Sequence, residues 1–129
     1  MIHYGFTKEL DIPYEAVIEA VTEALKKEGF GILTEINIKD KLKEKLDVEF
    51  RKYVILGAYS PANAYKSLQV EDNIGLMLPC NVIVYEKGRK TVLSIIRPTV
   101  AMQMIENAEL RKIAENVENQ LKQAFDTVN

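Results

Sequence analysis

The chain has 129 residues, 47% hydrophobic and 28% charged, and its 17 Lys plus Arg stand against 19 Asp plus Glu for a net charge of −2. That length suits one domain, residues 1–129, whose core needs no disulfide or metal. The charge balance lacks the basic excess of a nucleic-acid binder, so no nucleic-acid partner is expected. One cysteine, Cys80, fits a reducing compartment. The longest weakly polar run, residues 74–85, falls far short of the ~20 residues of a membrane span. The start (MIHY) has no basic leader, so no secretory signal is expected either. The expectation is a soluble cytoplasmic protein without a membrane partner.

Ile2, Tyr4 and Phe6 alternate with His3, Gly5 and Thr7, which predicts a strand over residues 2–9 with one covered face. A helix follows, with Asp11 or Ile12 at the cap and Pro13 in the first turn. Tyr14, Val17, Ile18, Val21 and Leu25 repeat at helical spacing, and Gly29 ends the helix. Residues 31–38 form a second strand with Ile32, Thr34, Ile36 and Ile38 on one face. Residues 39–46 form a short surface helix, whose lysines alternate with Asp40 and Glu44 as on a solvated face. A third, wholly apolar strand spans 53–58. Ser60 as cap and Pro61 at the first position then start a helix to about Val70 that buries Ala64, Tyr65 and Leu68.

The run 75–86 (GLMLPCNVIVYE) is apolar without alternation, which predicts a strand covered on both faces. Pro79 within it cannot donate to a ladder and predicts a bulge or an edge. Beside that break sit Cys80 and Asn81. A turn at 87–89 and a strand over 91–96 complete an antiparallel hairpin. Arg97 and Pro98 close it, and residues 99–105 form a short helix. Asn107 caps the last helix, with Leu110, Ile113, Ala114, Val117, Leu121 and Phe125 as its apolar stripe. The fold class is α+β: a single antiparallel-rich sheet of about five strands packed against two to three helices.

Cys80 is the sharpest candidate for chemistry. A nucleophilic or sulfur-carrying thiol needs its pKa lowered by a cation, a histidine or a helix N-terminus. Arg97 is the cation on the neighbouring strand, and His3 is the one histidine in the sequence. The structural alternative is a small buried hydrophobe. Without a second histidine or a paired cysteine, no metal site is expected, and no cofactor motif is present. The GFG of residues 29–31 follows a helix and precedes a strand, the reverse of a dinucleotide fingerprint. Met77, Met102 and Met104 read as core filler.

Three segments together, GFGILTEI (29–36), YVILGA (53–58) with Pro61 after it, and GLMLPCNVIV (75–84), resemble the bacterial and archaeal family catalogued as domain of unknown function 302. The resemblance covers nearly the whole chain, and the LPCN of residues 78–81 is its most specific part. It implies an α+β fold similar to one repeat of the TATA-box-binding protein fold, and a homodimer. It implies no activity. Members often carry a cysteine where this chain has Tyr59, so a two-thiol mechanism does not carry over. Fold likeness to a DNA-binding protein is no warrant for DNA binding.

The functional expectation is a homodimeric small-ligand binding or interaction module, with a pocket at Pro79, Cys80 and Asn81. Asn63 and Ser60, at the preceding strand–helix junction, supply polar lining. The alternative is a thiol-dependent enzyme or sulfur-relay protein using Cys80, with Arg97 stabilising the thiolate.

Overall fold

The protein's structure is a computed structural model that describes residues 3–129; Met1 and Ile2, where the alternating pattern begins, lie outside the described residues. Five strands, β1 (Gly5–Leu10), β2 (Gly31–Asn37), β3 (Tyr53–Tyr59), β4 (Cys80–Lys87) and β5 (Lys90–Ile96), form one antiparallel sheet in the order β1-β5-β4-β3-β2. β1 and β2 are therefore opposite edges, and the connection through α1 (Tyr14–Lys27) crosses the sheet. α5 (Ala108–Thr127) packs against α1 over the same face. The sheet supplies Val54, Leu56, Val82, Val84, Leu93 and Ile95 to the core, and the two helices supply Val17, Val21, Leu25, Leu121 and Phe125. Each such buried aliphatic side chain contributes about 1.5–3 kcal/mol relative to exposure.

The helix ends follow their local chemistry. Gly29 takes φ +85°, and the Gly29 and Phe30 amides donate to the carbonyls of Lys26 and Leu25, a Schellman closure that brings buried Phe30 back onto Leu25. Asn107 Oδ1 accepts from the Leu110 amide and caps α5. α1 starts one or two residues later than the pattern predicts: Pro13, not Asp11 or Ile12, occupies the cap position. The short helix α2 (Ile38–Leu46) buries nothing, and Asn37 caps it.

Several details differ from the sequence expectation. The strand predicted from residue 75 begins only at Cys80; Asp72–Met77 is a 3₁₀ helix instead, with Ile74 buried. Its turn-forming Asp72, Asn73 and Gly75 outweigh the apolar residues that follow. β4 is covered on one face, not two: Cys80, Val82 and Val84 are buried while Asn81, Ile83 and Tyr85 face away from the helices. Nor does Pro79 mark a bulge, since β3–β4 pairing is continuous from Tyr53 opposite Tyr85 to Ala58 opposite Cys80. The sheet's irregularity lies across from it, where β2 shifts register between Ile32 and Thr34. That extra residue, Leu33, reverses the alternation. Ile32 packs into the core, Thr34 and Ile36 take the other face, and Ile38 opens α2 rather than extending the strand.

In α3 (Pro61–Val70), Tyr65 and Leu68 are 65% and 43% exposed, and the buried residues are Asn63, Ala64 and Ser67. The helix docks by a small and polar stripe that hydrophobic periodicity does not register. The short helix after β5 is α4 (Pro98–Ala101), ending earlier than expected. Ile74, Met102, Leu110 and Ala114 make a second, smaller core beneath it. No helix among the described residues is long and apolar enough to cross a membrane.

Candidate functional site

The site lies at the end of the sheet where β4 starts, enclosed by the 3₁₀ helix, α3, α4 and the first half of α5. Leu78 and Pro79 are joined by a cis peptide bond. The Pro79 ring lies over the bare Cα of Gly57 on β3: a Cβ built there would stand 2.6 Å from Pro79 Cγ and also overlap Thr34 Oγ1. Only glycine admits that approach. Two hollows flank Cys80. The outer one is a cleft of about 270 Å³ lined by Leu76, Met77, Leu78, Pro79, Cys80 and Asn81 together with Ile96, Pro98, Ala101 and Met102. The inner one, of about 30 Å³, reaches Ser60 and Asn63 and is large enough for a water molecule but too small for a metabolite. Leu78, Cys80, Pro98 and Met102 are walls of both.

Ser60 and Asn63 are buried and tied together. Ser60 Oγ caps α3 by accepting from the Asn63 amide at 3.4 Å. Asn63 Nδ2 donates to Ser60 Oγ at 3.1 Å and to Gln120 Oε1 on α5 at 3.0 Å. Ser67 Oγ donates to the Asn63 carbonyl at 2.8 Å. The Gln120 bond ties α3 to α5, and the others, local to α3 and its cap, orient the inner polar wall. Asn81 differs. It is exposed at the cleft's rim, and among the described residues its amide has no protein partner, which leaves one acceptor and two donor hydrogens for a ligand.

The thiol of Cys80 is 7% exposed, and burial pushes its pKa up to about 11. A nucleophile at neutral pH needs the opposite direction. Arg97 does not supply it: Nε donates to Glu118 Oε2 at 3.2 Å and Nη1 to the His3 carbonyl at 3.0 Å. Glu118 Oε1 also accepts from the Thr99 amide and hydroxyl, which fastens α4 to α5. His3 lines a separate hollow on the other face of the sheet with Thr7, Ile83, Tyr85 and Ser94. The structure thus gathers Ser60, Asn63, Cys80 and Asn81 around one end of the sheet and places Arg97 in a latch beside it. No three His, Cys, Asp or Glu side chains group as metal ligands among the described residues.

A family model described as Domain of unknown function DUF302 matches residues 6–128. The chain belongs to this family. Comparison with curated proteins finds no match. Among solved structures, the crystal structure of an uncharacterized conserved DUF302 protein from Bacillus stearothermophilus superposes with a TM-score of 0.92. At 29% identity the similarity covers 99% of this chain and 100% of that one.

Pattern reading of this DUF302 chain missed four contributors to the site. Met102 reads as filler but forms a wall of both hollows, and Pro98 reads only as a strand terminator. Gln120, the partner of Asn63, sits on the polar side of the α5 stripe with no local signal. Glu118 is likewise one acidic residue among several on α5 until the fold brings Arg97 and Thr99 to it.

Proposed function

We propose that this DUF302 chain is a cytoplasmic, homodimeric module that binds a small ligand at the Pro79–Asn81 end of its sheet. The observation that carries this reading is the cleft of about 270 Å³, walled by apolar side chains with the unpartnered Asn81 amide at its rim. Ligand sites are built this way: an apolar hollow sets shape and a few polar groups set orientation. The cleft falls just below the ~300–1,000 Å³ of drug-sized sites, so the ligand is a small one. An amide both donates and accepts, so the fitting chemistry is a short apolar body bearing a carboxamide, carboxylate or hydroxyl. Asn63 and Ser60 stand behind Cys80 as the inner polar wall. A thiol-dependent or sulfur-relay activity is the weaker reading, because a deeply buried thiol with a raised pKa supplies little thiolate at neutral pH.

The test is a fragment screen by amide chemical shifts, with small aliphatic amides, acids and alcohols as probes. Fragments should shift the resonances of Asn81, Cys80 and Met102 together. Ala101→Trp, which fills the cleft, should abolish those shifts while preserving the spectrum elsewhere, and Cys80→Ala should keep them. Shifts that avoid Asn81, or that survive Ala101→Trp, would overturn the pocket.

A further inference from the structure

The helices cover one face of the sheet only. On the other, a single row crosses all five strands: Ile36, Ile55, Ile83, Ser94 and Thr7 stand opposite one another from β2 to β1. Beside it Tyr53 and Tyr85 stack with ring centroids 5.1 Å apart. The apolar part of this face runs from Ile36, 43% exposed, through partly exposed Ile55 and Ile83, with no helix over it, and apolar patches of this size often mark interaction sites. Resting on the homodimer proposed above, we infer that a second copy of this chain covers it, the two sheets packing face to face about a two-fold axis near Ile83.

Four observations point to a second copy. The first is size. Five strands about 4.8 Å apart and about 20 Å long project roughly 500 Å², and side-chain relief brings this toward the ~800 Å² per partner of a standard interface. The second is charge. Near a two-fold axis each residue meets its own copy, so a charge there would face itself; the central row carries none. The titratable groups flanking it are His3, which shares a hollow with Ile83, and Arg51, 5.3 Å from the Tyr85 ring. At the end of the face Lys87 and Glu9 are closed on one another at 3.3 Å. The third is hydrogen bonding. Thr7 Oγ1 and Ser94 Oγ bond each other at 2.6 Å, so each hydroxyl keeps one partner when covered. The fourth is the state of the edges. β2 carries the register shift at Leu33, and β1 turns Lys8 inward to donate to the Phe125 carbonyl at 2.6 Å. Both are devices that oppose strand-to-strand extension, which leaves the face itself for association.

Pairing also bears on the ligand cleft. Asn81 and Ile96 lie on this open face and line the cleft, and Leu76 beside them is 87% exposed. A second copy seated on the face brings the cleft mouth to the rim of the interface.

The experiment is sedimentation equilibrium of the full chain at concentrations up to about 100 µM, for wild type and Ile83→Lys. Wild type should be a dimer, and the substitution should weaken association by at least ~100-fold through like charges brought together, with unchanged far-ultraviolet circular dichroism. Ile83→Cys in a Cys80→Ala background should cross-link to a covalent dimer with a short bismaleimide. That variant decides the matter if Ile83→Lys fails to fold. A wild-type dimer that survives Ile83→Lys, or that does not cross-link at position 83, overturns this face while leaving the homodimer standing. A monomeric wild type overturns both, and the fragment shifts then judge the pocket separately.

Discussion

Two neighbouring rows of the sheet, one residue apart, read almost alike in sequence and do different work. The covered row is Leu56, Val82, Ile95 and Phe6, and α1 and α5 close over it. The open row is Ile36, Ile55, Ile83, Ser94 and Thr7, and no helix closes over it. β3 and β4 place isoleucines in the open row as readily as leucine and valine in the covered one. An apolar strand therefore says that both faces tolerate greasy side chains, not that both are buried by the chain's own helices. The open row's hydroxyls are paired with each other; the covered row's one polar member, Glu35 opposite Leu56 on the β2 edge, stays exposed.

The largest test of this contrast is the adjacent pair Ile55 and Leu56. Leu56→Ala opens a cavity under α1 and α5 and should cost about 2–5 kcal/mol, read as a lower urea midpoint at any protein concentration. Ile55→Ala removes the same three carbons from a site that solvent reaches, so the monomer should lose about 1 kcal/mol or less. Any further loss from Ile55→Ala should grow with protein concentration, as mass action requires of an interface residue. Equal and concentration-independent losses would mean the two rows are buried alike.

Next in size is the titration of Cys80, which ends the covered side of β4. Its native pKa is raised from 9.0 to about 11 by burial. Below pH 9 the thiol is neutral folded and unfolded, and stability does not sense it. Between pH 9 and 11 the unfolded thiol ionises while the native one does not, so stability falls as pH rises, by about 2–3 kcal/mol across the window. Cys80→Ala should remove that part of the slope. Tyr14, whose pKa burial also raises to about 12, adds its own loss above pH 10 in both proteins. A wild-type curve that matches Cys80→Ala through pH 9–11 would mean that the thiol is hydrated after all.

How much of this was legible beforehand depends on the kind of signal. The α5 stripe, its Asn107 cap, the Gly29 stop and the β4–β5 hairpin were readable because periodicity, caps and turns are local properties. The α+β class followed from them. The site was legible only in its address: Cys80 and Asn81 do meet a cleft, and Ser60 and Asn63 do stand behind them. What failed was long-range. Arg97 looks like a thiolate partner when only the hairpin is considered, but Glu118, 21 residues on, takes its guanidinium. α3 looks as though it buries Tyr65 and Leu68 because apolar residues normally mark the docking side; here Asn63 docks through its bond to Gln120, and Ser67 is buried with its hydroxyl donated back to the Asn63 carbonyl of the same helix. Pro79 looks like a break in its own strand, whereas its ring packs on Gly57 of the strand beside it.

The contact between Pro79 and Gly57 carries the smallest and most local prediction. Gly57 lies on the open side of β3, where Pro79 Cγ would stand 2.6 Å from an added Cβ and Thr34 Oγ1 would overlap it. Gly57→Ala should therefore destabilise by about 1–2 kcal/mol, as overpacking does, although alanine in a strand interior would otherwise be preferred to glycine. The two obstacles differ. Thr34 offers the tip of a rotatable side chain at the sheet edge, whereas Pro79 is a rigid ring that walls the cleft. If sterics cause the loss, Thr34→Ala combined with Gly57→Ala should recover only the threonine share, and the rest should appear as amide shifts at Cys80 and Asn81. Full recovery would place the whole constraint on β2, and the cleft wall would then be independent of β3. No loss at all would show that Pro79 moves freely, and the cleft would not be the preformed hollow that a small ligand needs.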